Sequence, residues 1–196
     1  MKDTAKTINE LIKDRRSVFP KQYTGGKIDD TIVQQMLENA NWAPNHGKTE
    51  PWRFFVFSDK GLASFANFQS ELYQEKTKAE GTFDERKFQK LKNQPLKASH
   101  IIAIVMQRST AGKIPAIEEV EAVACAVQNM YLTATAYGVG AYWSSGGVTY
   151  WEEAKEFFGL GTEDKLLGFF YIGEIDTDLP EGKRNPVEDK ITWIQE

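Results

Sequence analysis

Apolar residues near the start of the chain recur at the spacing of an α-helix. Ile8, Leu11 and Ile12 lie three and four positions apart, which places them on one helical face. Thr7 and Glu10 fit a capping box, in which two side chains satisfy the free N–H groups of a first helical turn. The pattern therefore predicts a first helix, capped at Thr7, that runs into a basic segment.

The same periodicity predicts two further helices. One starts near Asp29 or Asp30 and stops before Pro44, because a proline disfavours helical backbone in the residue before it. The other, residues 115–137, is the longest candidate, with Pro115 at a first position that needs no N–H donor. Its wide apolar face indicates a helix of the core or of a subunit interface. The apolar positions of these helices are Ile32, Val33, Met36, Leu37, Ala40, Val120, Val123, Ala124, Val127, Met130, Tyr131 and Ala134.

Four runs of apolar and aromatic residues predict β-strands. These runs are residues 52–57, which we expect to be buried, 101–106, 141–144 and 166–175. A second capping box, Thr149 with Glu152, predicts a helix start between the last two strands. Because helices and strands intermix without a strict βαβ rhythm, the sequence predicts an α+β fold rather than a doubly wound sheet.

Two segments fall outside this pattern. Residues 59–98 have helical character but are strongly charged, so they form either a solvated helical surface or a mobile cover over a site. Residues 176–196 form a polar tail whose end is apolar, Ile191-Thr-Trp193-Ile194. No repeat, linker or low-complexity stretch divides the chain, so we expect a single domain over residues 1–196.

Composition excludes several classes of protein. The net charge of −4 argues against a general nucleic-acid binder. Cys125 is the one cysteine; it cannot form an intramolecular disulfide, and its place on an apolar helix predicts burial in the core. No Cys/His cluster has the spacing of a metal site. Without a secretory signal or an apolar run of about 18 residues, the expected protein is cytoplasmic, with no membrane partner.

Two polar segments in the first third could carry chemistry. Arg15-Arg16-Ser17 offers two guanidiniums and a hydroxyl that can bind a phosphate or carboxylate, although basic residues also simply complement a helix end. The loop from Trp42 to Phe54 carries His46 between two tryptophans. Such a loop can bear function, but a loop histidine is also a common surface residue.

Two later segments could also either bind a ligand or form ordinary turns. Residues 138–147 contain Trp143-Ser144-Ser145 between glycines, which would let a ligand ring approach the backbone, or would form an ordinary turn. This segment is neither a dinucleotide fingerprint nor a phosphate-binding P-loop. In the tail, Lys183 and Arg184 could neutralise a phosphate that Arg15 also touches, or could be a solvated basic turn.

The order of these segments resembles the FMN-dependent nitroreductase family, and most of all its compact branch of small NAD(P)H nitroreductases. The motifs are RRS, then APNH with PWRFF, a long apolar helix leading to GVGAYWSSGG, and FFYIGE before GKRNP. The resemblance covers essentially the whole chain, and residues 59–98 carry little of it. One departure is WSSG where near relatives have WRSG, so Ser144 would act through a hydroxyl or a main-chain group.

The resemblance implies an α+β nitroreductase-like fold, with a mostly antiparallel central sheet flanked by helices. It also implies an intertwined homodimer with FMN at the subunit interface. By family analogy the cofactor-binding residues are Arg15, Arg16 and Ser17 at the flavin phosphate and pyrimidine, Trp42 and His46 reaching over from the partner subunit, Trp143, Ser144 and Ser145 beside the ring, and Lys183 and Arg184 at the phosphate. Residues 133–138 align with a stretch associated with NAD(P).

The implied activity is hydride transfer from NADH or NADPH through flavin N5 to an electron-poor nitroaromatic or quinone, by a ping-pong mechanism. The flavin carries the redox chemistry, so we expect no side-chain nucleophile and no metal. Arg15 or Arg16 would stabilise the reduced flavin. The alternatives are a related flavoenzyme such as a reductive dehalogenase, a flavin-binding protein without turnover, and an interaction protein on a degenerate fold.

Overall fold

Helices and strands alternate irregularly along residues 2–195, the part of the chain that the computed structural model describes. The helices are α1 (Lys2–Asp14), α2 (Asp30–Ala40), α3 (Lys60–Ala79), α4 (Glu85–Asn93), α5 (Ala116–Ala136) and α6 (Glu153–Phe157). The strands are β1 (Trp52–Ser58), β2 (His100–Met106), β3 (Gly140–Ser144) and β4 (Lys165–Gly173). Among the described helices, none is both long and apolar enough to span a membrane.

The four strands form one antiparallel sheet in the order β1-β2-β4-β3. Every residue of β2 is buried, as its continuous apolar run predicts for a central strand. The antiparallel sheet among helices confirms the α+β prediction. The prediction that residues 52–57 are buried is wrong except at Trp52, because β1 lies at a sheet edge.

Each face of the sheet supports its own core. On one face, Ile102, Ile104 and Phe170 pack against α2 and α5. On the other face, Ile101, Phe169 and Tyr171 pack against α3, α6 and the chain that precedes α2. This division follows from the alternation of side chains along a strand.

Both predicted capping boxes are wrong. Helix α1 starts before Thr7, whose hydroxyl donates to the Asp3 carbonyl inside the helix (2.9 Å). Thr149 lies in a short 3-10 turn and donates to the Gly146 carbonyl (3.0 Å), while α6 starts only at Glu153. In both places the threonine satisfies a carbonyl that precedes it instead of capping N–H groups that follow it.

Cys125 is exposed, which contradicts the prediction that it lies in the core. The reason is the helical period: Val123 and Val127 face the sheet, and a residue two positions from each points away from it. Pro115 lies one residue before α5 rather than at its first position.

The charged segment 59–98 divides into two helices with different environments. Helix α3 buries Phe65 and Tyr73 almost completely, so it belongs to the core and is not a solvated surface. Helix α4 has no buried side chain and packs on α3. The interpretation as a solvated helix therefore holds for α4 alone.

His100 connects the start of β2 to the start of α2. Its Nε2 lies 3.2 Å from the Asp30 carboxylate, and its Nδ1 lies 2.9 Å from the Ser99 hydroxyl. Burial lowers the pKa of His100, and the nearby Asp30 carboxylate opposes that shift. The imidazole is therefore a neutral link between sheet and helix at pH 7.

Candidate functional site

The free edge of β3 gathers the basic segment that follows α1. The Val18 N–H donates to the Ala141 carbonyl (2.8 Å), which lays residues 15–18 along this edge. Tyr131 of α5 lies beneath them: its hydroxyl accepts the Trp143 N–H (2.6 Å) and is 3.4 Å from the Ser17 hydroxyl. The Arg15 guanidinium carbon lies 5.2 Å from the centre of the Tyr131 ring. Three predicted site residues thus surround one tyrosine.

The two arginines of this segment have different surroundings. Arg16 donates to the carbonyls of Lys13 (2.6 Å), Arg15 (2.9 Å) and Pro180 (2.9 Å). These bonds hold its guanidinium between the end of α1 and the tail. The half-buried Arg15 guanidinium, by contrast, forms neither a hydrogen bond nor an ion pair with any group in residues 2–195. Arg15 is therefore the arginine that can bind an anion.

The basic turn of the tail lies next to this segment, although Pro180 and Arg16 are 164 residues apart in sequence. Gly182 packs so closely against the Arg16 guanidinium that an added Cβ would lie 2.6 Å from its central carbon. Lys183 and Arg184 follow directly and are exposed, and Arg184 donates to the Lys183 carbonyl (2.7 Å). The fold thus holds the tail turn that carries Lys183 and Arg184 against Arg16, the residue next to Arg15.

A bulge in the neighbouring strand positions the end of β3. The register between β2 and β4 shifts at Leu167, and the freed Leu167 carbonyl accepts the Trp143 indole N–H (3.0 Å). Gly168, at φ +124°, allows the Ser144 carbonyl to approach β4 where a side chain would collide with it. This contact fixes Trp143 and Ser144 at the point where the strand opens into its glycine-rich turn.

A cavity of about 430 Å³ opens beside that turn. Residues 142–147 line one side of it, and α4 lines the other. The N–H groups of Ser145 and Gly146 donate to no acceptor in the described chain, so they can bind a ligand that enters the cavity. Helix α4 therefore lies as a cover over the candidate site.

A neutral tyrosine, Tyr171, forms part of the cavity wall and is supported from behind by Tyr23. Burial raises the pKa of the Tyr171 phenol well above its ordinary value. Tyr23 donates its hydroxyl to the Tyr171 carbonyl (3.1 Å), and burial raises its pKa as well. Neither phenol ionises near neutral pH, so this part of the cavity wall carries no negative charge.

Trp42 and His46 are not brought to this cluster within one chain. Trp42 is 85% exposed, beside a groove between α1, α2 and α5. The His46 imidazole pairs instead with Glu118 at the start of α5 (2.6 Å). Neither residue lines the cavity beneath α4.

Thr133, the first residue of the stretch 133–138, joins two helices. The Thr133 hydroxyl donates to the Asn129 carbonyl (2.8 Å) and accepts from the Asn39 amide (2.9 Å), which joins α5 to α2. Thr133 is buried in this contact. The structure thus gives this residue a packing role in the described chain.

Sequence reasoning missed the part played by Tyr131 and Gly168. The helical period places Tyr131 only on the apolar face of a helix, although a phenol in an apolar stripe needs a hydrogen-bond partner and is a signal in itself. Gly168 carries no such local signal, because its importance depends on the register between two strands.

Comparison with known proteins places the chain among described relatives. A family model described as the nitroreductase family matches residues 12–174. A Bacillus subtilis (strain 168) protein named "Putative NAD(P)H nitroreductase YfhC" is 30% identical over 186 residues, which are 94% of this chain and 93% of that protein.

Solved structures share the architecture. A nitroreductase-like family protein from Bacillus cereus superposes with a TM-score of 0.80 at 26% identity, covering 95% of each chain. The FMN-dependent nitroreductase NfnB from Mycobacterium smegmatis, in complex with NADPH, superposes with a TM-score of 0.74. It is 15% identical and covers 98% of this chain and 100% of that chain, which shows a common fold. Because the family model matches residues 12–174, which are most of the chain, the chain belongs to the nitroreductase family.

Proposed function

We propose that this protein is an FMN-dependent oxidoreductase that takes electrons from NADH or NADPH. The observation that carries the proposal is the Arg15 guanidinium, which has no hydrogen-bond or ion-pair partner within residues 2–195 and lies beside Ser17 and Tyr131 at the edge of β3. The name of the Bacillus subtilis relative supports an NAD(P)H-linked reductase, and the description of the Mycobacterium smegmatis protein supports FMN.

The donor set at this edge fits the chemistry of FMN. A flavin phosphate carries nearly two negative charges, and Arg15 supplies a cation, as do Lys183 and Arg184 on the tail turn that Arg16 holds. The Ser17 hydroxyl adds a neutral donor. We therefore assign the phosphate to these four residues. Trp143, Ser144 and Ser145 would lie alongside the ring, where free main-chain N–H groups can bind its carbonyl oxygens.

Arg16 has a different role in this proposal. Its guanidinium is already bound by three carbonyls, so it positions the tail turn that carries Lys183 and Arg184. Tyr131 likewise acts through its neighbours, because its hydroxyl holds Trp143 and Ser17 in place. These two residues are positioning residues, whereas Arg15 would contact the cofactor.

Bound FMN would accept a hydride from NAD(P)H and pass two electrons to an electron-poor acceptor. Arg15 would stabilise the negative charge that reduction brings to the site, because a fixed cation is strongly felt where water is excluded. The neutral phenol of Tyr171 in the cavity wall adds no opposing charge. No side-chain nucleophile is required by this assignment.

Donor and acceptor would occupy the site in turn. We expect both to bind against the same face of the flavin ring, so that one must leave before the other enters. This predicts ping-pong kinetics with a nitroaromatic or quinone as the acceptor. Initial rates at several fixed acceptor concentrations should give parallel double-reciprocal lines, and intersecting lines would exclude this order.

We also propose that the working unit is a homodimer. Trp42, Trp193 and Ile194 are 85%, 79% and 87% exposed, so they offer large apolar side chains to a partner surface. A second copy would cover such surfaces, and would bring Trp42 and His46 to the site from across the interface. Sedimentation equilibrium should then give twice the chain mass of 22.2 kDa. A monomer at micromolar concentration would contradict the proposal.

The experiment that tests the cofactor assignment is a spectrum of the purified protein with anaerobic additions of NADH and NADPH. A yellow protein that either donor bleaches supports the proposal, whereas a colourless protein that refuses added FMN refutes it. Arg15→Ala should weaken FMN binding about tenfold or more, the value of a charge-assisted hydrogen bond. Arg86→Ala, an arginine that is 96% exposed, is the matched control and should leave the FMN dissociation constant unchanged.

A further inference from the structure

Four lysines line the candidate-site cavity and the cavity beside it. The cavity beneath α4 adjoins a second cavity of about 430 Å³, and the two share Phe19, Lys90 and Gln94 in their walls. We call the lysines of the two walls the lysine collar; they are Lys21, Lys87, Lys90 and Lys97. They come from the turn after Phe19, from α4 and from the turn that follows α4.

The collar is positive with no compensating acid. No aspartate or glutamate lines either cavity, and in the described part of the chain none of the four ammonium groups lies within 4.0 Å of a carboxylate. The whole chain, by contrast, has a net charge of −4. A cluster of cations on an acidic protein raises the local concentration of anions at that place.

The wall between the cavities is aromatic. The Phe19 ring is 45% exposed and its centre lies 4.6 Å from that of Tyr142. Its free face is turned to neither core, so a planar ligand can stack on it. The same wall carries the side-chain amide of Gln94, which is a further hydrogen-bond donor.

We propose that the lysine collar selects an electron acceptor in which a planar conjugated ring carries a carboxylate or sulfonate group. The ring would enter beneath α4 and its anionic group would remain at the opening, near Lys90 and Lys21. This inference rests on the proposed function, since it names the class of acceptor for that site. The phosphates of NAD(P)H share the anionic chemistry, so the experiment separates the two sources.

The first test is binding to the FMN-loaded protein, without turnover. Calorimetric titration with naphthalene-2-sulfonate should give a dissociation constant about three- to fivefold larger for Lys90→Gln, the effect of one partly solvated charge. The double variant Lys21→Gln/Lys90→Gln should lose about tenfold or more. Lys92→Gln is the matched control, because Lys92 lies on the same helix over Phe88 and lines neither cavity. Equal sulfonate affinities for the Lys90 and Lys92 variants would overturn the proposal.

The second test is turnover with a charged and a neutral quinone, 1,4-naphthoquinone-2-sulfonate and menadione. The ratio of their kcat/KM values should fall about fivefold in Lys90→Gln and stay constant in Lys92→Gln. High ionic strength should remove the preference, because it shortens the Debye length to about 3 Å at 1 M salt. An increased KM for NADPH with an unchanged quinone ratio would overturn the assignment to the acceptor.

These experiments distinguish a failure of the proposed reductase function from a failure of the proposed acceptor class. If neither quinone is reduced with NADH or NADPH, the proposed function is wrong, whatever the collar binds. If menadione is reduced but the ratio does not respond to Lys90→Gln, the reductase stands and the anionic acceptor is refuted.

Discussion

The substitution Gly168→Ala in β4 should displace the end of β3, which forms part of the candidate site. The backbone of Gly168 has φ +124°, a region that side chains rarely occupy. An added Cβ would also collide with the Ser144 carbonyl oxygen and lie 2.8 Å from the Trp143 indole nitrogen. The substitution therefore forces either β4 or the end of β3 to move.

The size of the effect follows from these two contributions. Placing a non-glycine residue at positive φ costs about 1–2 kcal/mol. Overpacking against backbone atoms adds about 1–3 kcal/mol. We therefore expect Gly168→Ala to lower the free energy of unfolding by about 2–5 kcal/mol. Gly138→Ala is the matched control: its φ is +68°, but a Cβ there would meet no atom within 4 Å, so only the first cost applies.

Urea unfolding, followed by tryptophan fluorescence and circular dichroism, measures both variants. The Gly168 variant should be less stable than the Gly138 variant by the cost of the collision alone. It should also bind FMN more weakly, because the Ser144 carbonyl must leave β4 to make room. If the two variants agree within about 0.5 kcal/mol and FMN affinity is unchanged, the contact between β3 and β4 does not position the site.

Three further predictions concern residues around the site and the sheet. Arg16→Ala should lower the free energy of unfolding by about 0.5–1.5 kcal/mol, because three carbonyls, two of them exposed, exchange a guanidinium donor for water; a variant as stable as the parent would exclude the bridging role. Tyr131→Phe should cost about 1–3 kcal/mol by leaving the Trp143 N–H without an acceptor, and unaltered near-ultraviolet circular dichroism would contradict this. Burial lowers the pKa of His100, so its contribution to stability is complete above its unfolded value of about 6.5 and is lost as pH falls below it. His100→Asn should accordingly flatten the pH dependence of stability between about pH 7 and pH 5.

Local sequence signals located the elements that depend on local interactions. Helix α2 starts at Asp30 because the Asp29 carboxylate accepts the Thr31 N–H (2.8 Å). The two residues are only two positions apart in sequence, so the signal is local. Strand β2 was evident because a strand buried on both faces must be apolar throughout. The capping box predicted at Thr7 is wrong because a threonine hydroxyl can either cap the N–H groups that follow it in sequence or donate to a carbonyl that precedes it. The residues before Thr7 decided between these outcomes.

The site could be predicted only as a set of residues. The RRS motif identifies Arg15 and Arg16 equally, and their different roles depend on a carbonyl from the far end of the chain. Tyr131 acquires its function from the register of β3, which no periodicity reveals. The lysine collar could not be predicted either. Its charges come from a helix and two turns that meet only in the folded chain.

The strand order has a consequence for how this protein is made. Strand β4 is synthesised last, yet it lies between β2 and β3, so β3 has no neighbour in the sheet until residue 173 has left the ribosome. The tail that Arg16 holds follows later still. A nascent chain thus carries the RRS segment from the beginning but has no edge to lay it against. Cofactor loading should therefore follow the emergence of residue 173, and chains truncated before residue 165 should not acquire flavin.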